Sequence, residues 1–134
     1  RNNFLGNGKI NVVGLQSLSA PAVVNRNVLY LAGDWDFQNE YAESKSSGAK
    51  IIFKYFAKNV YLVASSDTGA QLKITRDGEP LGRAAGEDVS GGGTVNVKED
   101  SLYRIIEDPA GYAEHTLEII IENPDLKAFT FTFG

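Results

Sequence analysis

The stretch AKIIFKYFAKNVYLVA, residues 49–64, decides the fold. In its first half Ile51, Phe53 and Tyr55 fall on one face and Ile52, Lys54 and Phe56 on the other, a period of two rather than 3.6. After Ala57, Lys58 and Asn59, the residues Val60, Leu62 and Ala64 alternate against Tyr61 and Val63. Each half reads as a strand, and the short connection between them predicts a hairpin.

The same period extends in both directions. Leu72 and Ile74 alternate with Lys73 and Thr75, Asp77-Gly78 supplies the two positive-φ positions of a type I′ turn, and Leu81 is expected to begin the return strand. Residues 86–93 are rich in Gly, Asp and Ser and read as a loop before a short strand through Thr94, Val95, Asn96 and Val97. Leu102, Tyr103, Ile105 and Ile106 follow, ending in a turn at Asp108-Pro109. Residues 116–121 form another strand, stopped by Asn123-Pro124. In the last strand Phe129, Phe131 and Phe133 alternate with Thr130 and Thr132 and are expected to face the core. Toward the N terminus, Leu29 and Leu31 precede a turn at Gly33-Asp34, and Trp35, Phe37 and Tyr41 continue in a second extended stretch.

Residues 1–27, interrupted by Gly6, Gly8, Gly14 and Pro21, read as a linker that becomes an ordered arm on the domain. No window of 11 or more residues sustains a helical period, so at most one short helical turn is expected, near Leu126 or Ser101. The fold class is therefore all-β: a jelly-roll β-sandwich over residues 28–134 with about eight to ten short strands.

The composition narrows the function. The chain has 134 residues, 43% hydrophobic and 22% charged, which suits one soluble globular domain. No apolar run approaches the ~20 residues that span a bilayer, so no membrane insertion is expected. The net charge is −4 and the cations are scattered, which argues against nucleic acid. There is no cysteine, which removes thiol nucleophiles, redox motifs and thiolate metal sites. There is also no methionine, at the start or elsewhere, and the expectation is a segment of a larger protein.

Several runs carry a family likeness in their joint order. They are Leu31-Ala32-Gly33-Asp34-Trp35, the strand from Lys54 to Val63, Ile74-Thr75-Arg76-Asp77-Gly78-Glu79-Pro80, Leu102-Tyr103-Arg104-Ile105-Ile106, and the terminal Ala128-Phe129-Thr130-Phe131-Thr132-Phe133-Gly134. Together they resemble the C-terminal domain that follows the thioredoxin-like domain in DipZ-type cytochrome c biogenesis and thiol:disulfide interchange proteins. The opening, from Arg1 to Phe4, is similar to the exit from that preceding domain. The resemblance implies a fold like a carbohydrate-binding module and an extracytoplasmic location. It also implies an adjacent thioredoxin-like partner domain that holds the redox cysteines, and a carbohydrate as a possible ligand. Fold alone does not establish such binding.

Candidate site residues are judged against that background. Trp35, the only tryptophan, lies between Asp34 and Asp36. An indole face packs on the apolar face of a pyranose while carboxylates accept hydroxyl protons, so Trp35, Asp34 and Asp36 are candidates for a sugar site. The alternative is a buried core tryptophan. Among Tyr41, Tyr55, Tyr61, Tyr103 and Tyr112, Tyr41 joins the candidates by proximity and Tyr61 because it points away from Leu62. Asp34, Asp36, Asn39 and Glu40 raise a structural calcium, but their spacing does not match an EF-hand, and no cofactor or metal is expected. His115, the only histidine, has Glu114 and Thr116 as neighbours, both pointing to the opposite face, and is expected at a surface or edge without a catalytic partner. The glycines at 91–93 lack the P-loop pattern. With seventeen acids, some pair necessarily lies at the ~5–9 Å used by glycosidases, so pairing alone marks no catalytic residue. The expectation is a non-catalytic domain that either binds a glycan or cell-envelope ligand or packs on its thioredoxin-like neighbour to shape that neighbour's cleft.

Overall fold

Gly33 is where one strand comes to serve two sheets. The computed structural model describes residues 13–134, with strands β1 (Gly14–Leu18), β2 (Leu29–Phe37), β3 (Ala42–Ser44), β4 (Ala49–Ala57), β5 (Asn59–Ser65), β6 (Ala70–Arg76), β7 (Thr94–Val97), β8 (Ser101–Glu107), β9 (Ala113–Ile121) and β10 (Lys127–Phe133). The first part of β2, from Leu29 to Ala32, pairs with β4, whereas Gly33 to Phe37 pairs with β1 and, from Trp35, with β3. Gly33 takes φ +92°, and a Cβ there would lie 2.9 Å from Ser46 Oγ and 3.0 Å from Ala49 Cα. Only glycine fits that corner. The expected turn at Gly33-Asp34 is thus a bend inside a continuous strand.

The first sheet runs β7-β6-β9-β4-β2, and the second runs β2-β3-β10-β5-β8 with β1 on the other edge of β2. Every pairing between named strands is antiparallel. The all-β sandwich expected from the period of two is the architecture observed, and its two inner faces share one core that includes Trp35, Phe37, Ile51, Tyr55, Leu62, Leu72, Ile74, Leu117 and Ile119. No helix among the described residues is long and apolar enough to cross a membrane.

The predicted hairpin of residues 49–64 is not formed. β4 pairs with β9 along its whole length, from Ala49–Ile121 to Ala57–Ala113, while β5 pairs with β10 and β8. Only Lys58 separates the two strands, and there the chain crosses from one sheet to the other. Residues 57–59 contain no glycine to build a tight primed turn, and the crossing lets Phe53 and Tyr55 face Val60 and Leu62 through the core.

The Asp77-Gly78 turn is as expected, with φ of 55° and 77° and reciprocal backbone bonds between Arg76 and Glu79 at 2.9 and 3.0 Å. The return strand at Leu81 is absent. Pro80 has no N–H to donate, and the chain enters a single 3-10 turn at Gly82–Ala84 with Leu81 buried. This short helical piece lies away from the two places where one was expected: Leu126 is a buried residue before β10, and Ser101 opens β8. Next to it Gly86 lies against β8, where a Cβ would collide with the Arg104 carbonyl.

The closing phenylalanines are less buried than expected. Phe131 and Phe133 do point inward, with ring centroids 6.2 and 5.1 Å from that of Phe53, but Phe133 is 40% exposed, and Phe129 lies at a bulge against Tyr41. β3 covers only Lys127 and Ala128, so the rest of β10 has a single neighbour among the described strands. Of the expected N-terminal arm, residues 1–12 lie outside the described residues. Residues 14–18 form β1, the Tyr30 hydroxyl takes two bonds from Asn25, and the Asn27 amide donates to the Lys54 carbonyl at 2.8 Å.

Candidate functional site

Alternation along β2 places Trp35 on its inner face, where it is 0% exposed and donates from Nε1 to the Ala32 carbonyl at 2.9 Å. The indole is part of the core, which corrects the reading of Trp35 as a stacking platform. It floors an apolar cleft bounded by Leu29, Leu31, Phe37 and Phe129 whose volume is ≈ 30 Å³. That space suits a water or two and is far below the size of a small-molecule site.

The other candidates do not converge. Asp34 and Asp36 point outward from β2; Asp34 accepts from Ser17 Oγ at 2.6 Å and Asp36 from Gln38 Nε2 at 3.1 Å. Tyr61 lies half-buried on the outer face of β5, opposite Thr132 and Arg104, with β3 and β10 between it and the acids. Three strand spacings alone put them at least about 14 Å apart, and Tyr61 is level with Thr132 whereas Asp36 is level with Lys127, further along β10. Tyr41 packs on Phe129 at 5.4 Å, with Lys127 Nζ 5.3 Å from its ring centroid. Among the described residues no group of three or more acidic or histidine side chains is placed to hold a metal.

Two clusters emerge that the sequence did not assemble. At one pole His115 Nδ1 lies 2.6 Å from Asp77 Oδ2, and Asp77 Oδ1 accepts the Thr116 amide at 2.8 Å. His115 therefore has a partner after all, brought by the type I′ turn from 38 residues away. Burial acts to raise Asp77, but the Thr116 amide and His115 outweigh it and hold the carboxyl below its usual range. Beside it Arg76 Nη1 donates to Asp108 Oδ2 at 2.7 Å, with side chains only 17% and 8% exposed. Arg76 and the Ala110 amide hold Asp108 below the carboxylate range. The buried Tyr55 hydroxyl lies against Arg76 without good hydrogen-bond geometry, and burial pushes its ionisation up. These contacts clamp the turn after β6, the turn at Asp108 and the first half of β9 together, with the Tyr55 ring 6.1 Å from that of His115.

The second cluster is on the outer face of the first sheet. Phe56 and Tyr112 are 55% and 65% exposed, with ring centroids 6.3 Å apart and planes 25° from parallel. Phe56 stands outward on β4 opposite Glu114 on β9. Glu114 takes Arg26 Nη2 at 2.7 Å and Lys54 Nζ at 3.6 Å, and Arg26 Cζ lies 5.8 Å from the Phe56 centroid. Arg26, hydrogen-bonded and adjacent, holds Glu114 below its usual range. The alternation of residues 49–57 already put Phe56 on the outward face, and an outward phenylalanine beside Lys54 was the available signal. The arrival of Arg26 and Tyr112 was not readable, since each comes from a different segment.

No curated protein matches the chain significantly. Solved structures do share its fold. A family two carbohydrate esterase from Clostridium thermocellum, in complex with cellohexaose, aligns with a TM-score of 0.60 and 16% identity over 75% of this chain and 29% of that one. A family two carbohydrate esterase from Cellvibrio japonicus aligns with a TM-score of 0.61 and 14% identity over 91% of this chain and 33% of that one. The chain spans no more than a third of either esterase, and at such identities the likeness is one of fold. The sequence profile of one family matches from residue 1 to residue 134, and the chain accordingly belongs to the thioredoxin-like C-terminal domain family.

Proposed function

We propose that this is a non-catalytic accessory domain that holds a glycan or another cell-envelope ligand beside a thioredoxin-like domain of the DipZ type, on the extracytoplasmic side of the membrane. The observation that carries the reading is the exposed Phe56–Tyr112 pair. Two large rings left in water and rimmed by charged hydrogen-bonding groups are an unusual feature of a soluble surface, and ring faces pack well on sugar C–H groups. Sharing a fold with part of an esterase solved with cellohexaose makes saccharides the first class to test. Calorimetric titration of the chain with cell-wall oligosaccharides is the experiment. Saturable binding that disappears in Phe56→Ala, with the melting temperature unchanged, is expected; a flat response across the panel refutes it. Trp35 fluorescence is the wrong reporter, because the indole is sealed in the core.

A second reading has its own observation. Val13 and Leu15, on or beside the edge strand β1, are 54% and 65% exposed, an apolar edge suited to packing on a neighbouring domain. Deleting this domain from the parent protein and assaying the thioredoxin-like partner separates the two readings. Altered substrate selectivity without any saccharide affinity favours packing.

A further inference from the structure

Resting on the glycan reading, we propose that the Phe56–Tyr112 platform takes an acidic glycan, one whose sugars carry carboxylates, with Arg26 and Lys54 as the recognising cations. The argument is one of charge and reach. Beside the two rings Arg26 and Lys54 share the one carboxylate of Glu114, so this ion-pair group carries an excess of positive charge on a chain whose net charge is −4. The next pair along the same face, Lys50 with Glu118 at 3.2 Å, is internally balanced and does not cancel it. Glu114 sits between the two cations and orients both. It uses one nitrogen of Arg26, whose side chain is 53% exposed, which leaves further N–H donors of the guanidinium for a ligand. A planar fork matches a carboxylate in two parallel hydrogen bonds, a geometry a neutral sugar hydroxyl does not reproduce.

The distances fit a stacked ligand. The Arg26 carbon lies over the Phe56 ring, 5.8 Å from its centroid, so a carboxylate held by the guanidinium is brought against the aromatic pair. The two rings, 6.3 Å apart and 25° from parallel, form one aromatic surface next to that cation. Stacking then supplies affinity for any glycan, and the cations choose the acidic one.

The test compares tri-galacturonic acid with its methyl ester, titrated into the full chain at low salt and again at ~0.5 M NaCl, where charge effects are screened. The free acid is expected to bind roughly threefold to tenfold more tightly at low salt, with the preference collapsing at high salt. Arg26→Gln, and independently Lys54→Gln, is expected to reduce the preference while leaving ester binding in place, and Phe56→Ala to abolish binding of both ligands. Equal binding of acid and ester, or a preference that salt does not touch, overturns the acidic assignment and leaves the glycan reading standing. No binding of either, with a flat neutral panel, overturns both. Acid binding that survives Phe56→Ala shows a bare cation site and overturns the platform. Melting curves of each variant verify that the fold is intact.

Discussion

Replacing Arg76 by methionine removes the cation from a buried ion pair and leaves its partner in place. Asp108, 6% exposed, then keeps one short bond, from the Ala110 amide at 2.9 Å, and loses the 2.7 Å bond from Arg76. Breaking a buried pair from one side costs about 3–5 kcal/mol, and the 17% exposure of the Arg76 side chain, which admits some water, puts this case near 3 kcal/mol. For a domain of this size that is a fall in melting temperature of about 10 °C. Changing both partners, Arg76→Met with Asp108→Asn, leaves no uncompensated charge and is expected to cost only about 1–2 kcal/mol. The pH dependence is a second signature. Because the folded carboxyl of Asp108 is held below its unfolded value of about 3.9, the pair's stabilisation is complete well above that pH and is lost as pH falls through the folded value. In Arg76→Met the carboxyl is buried without its cation, so the variant is relieved as the pH drops and the gap to the parent narrows. Urea denaturation at pH 7 and pH 4 measures this. A cost below about 1 kcal/mol at pH 7, or a gap that does not change at pH 4, refutes the assignment of the pair as a buried clamp.

Three further predictions concern packing. Trp35→Ala is expected to cost about 3–5 kcal/mol by calorimetry, and the parent indole to emit in the blue and resist acrylamide quenching, since it has no exposed surface. Gly86→Ala drives a methyl into the Arg104 carbonyl and is expected to lose at least about 2 kcal/mol, whereas Gly91→Ala, which meets nothing within 4 Å, stays within about 0.5 kcal/mol in the same urea assay. Gly33→Ala combines a positive φ with contacts at 2.9 and 3.0 Å, and it is expected to lower the melting temperature and loosen the corner between the sheets, detectable as faster amide exchange in β2.

The sequence by itself determined what is local. Alternation in residues 49–64 specified two strands and which side chains of each face inward, and Asp77-Gly78 specified its turn, because side-chain period and positive φ are properties of a few consecutive residues. The same alternation contained the answer for Trp35, whose inward position follows from its place in β2 once the sheet exists to cover it. Partnership was a different matter. The lack of glycine in residues 57–59 disfavours a tight turn without naming another partner, and the pairing of β4 with β9 and of β5 with β10 decided the crossing between sheets. The exposure of the final phenylalanines depended on how far β3 runs beside β10. The candidate platform is the extreme case. Arg26, Phe56 and the neighbouring pair Tyr112 and Glu114 come from three separate segments, and Asp77 meets His115 across 38 residues. Such meetings are set by sheet order, and sheet order is a property of the whole chain's packing rather than of any stretch that can be read alone.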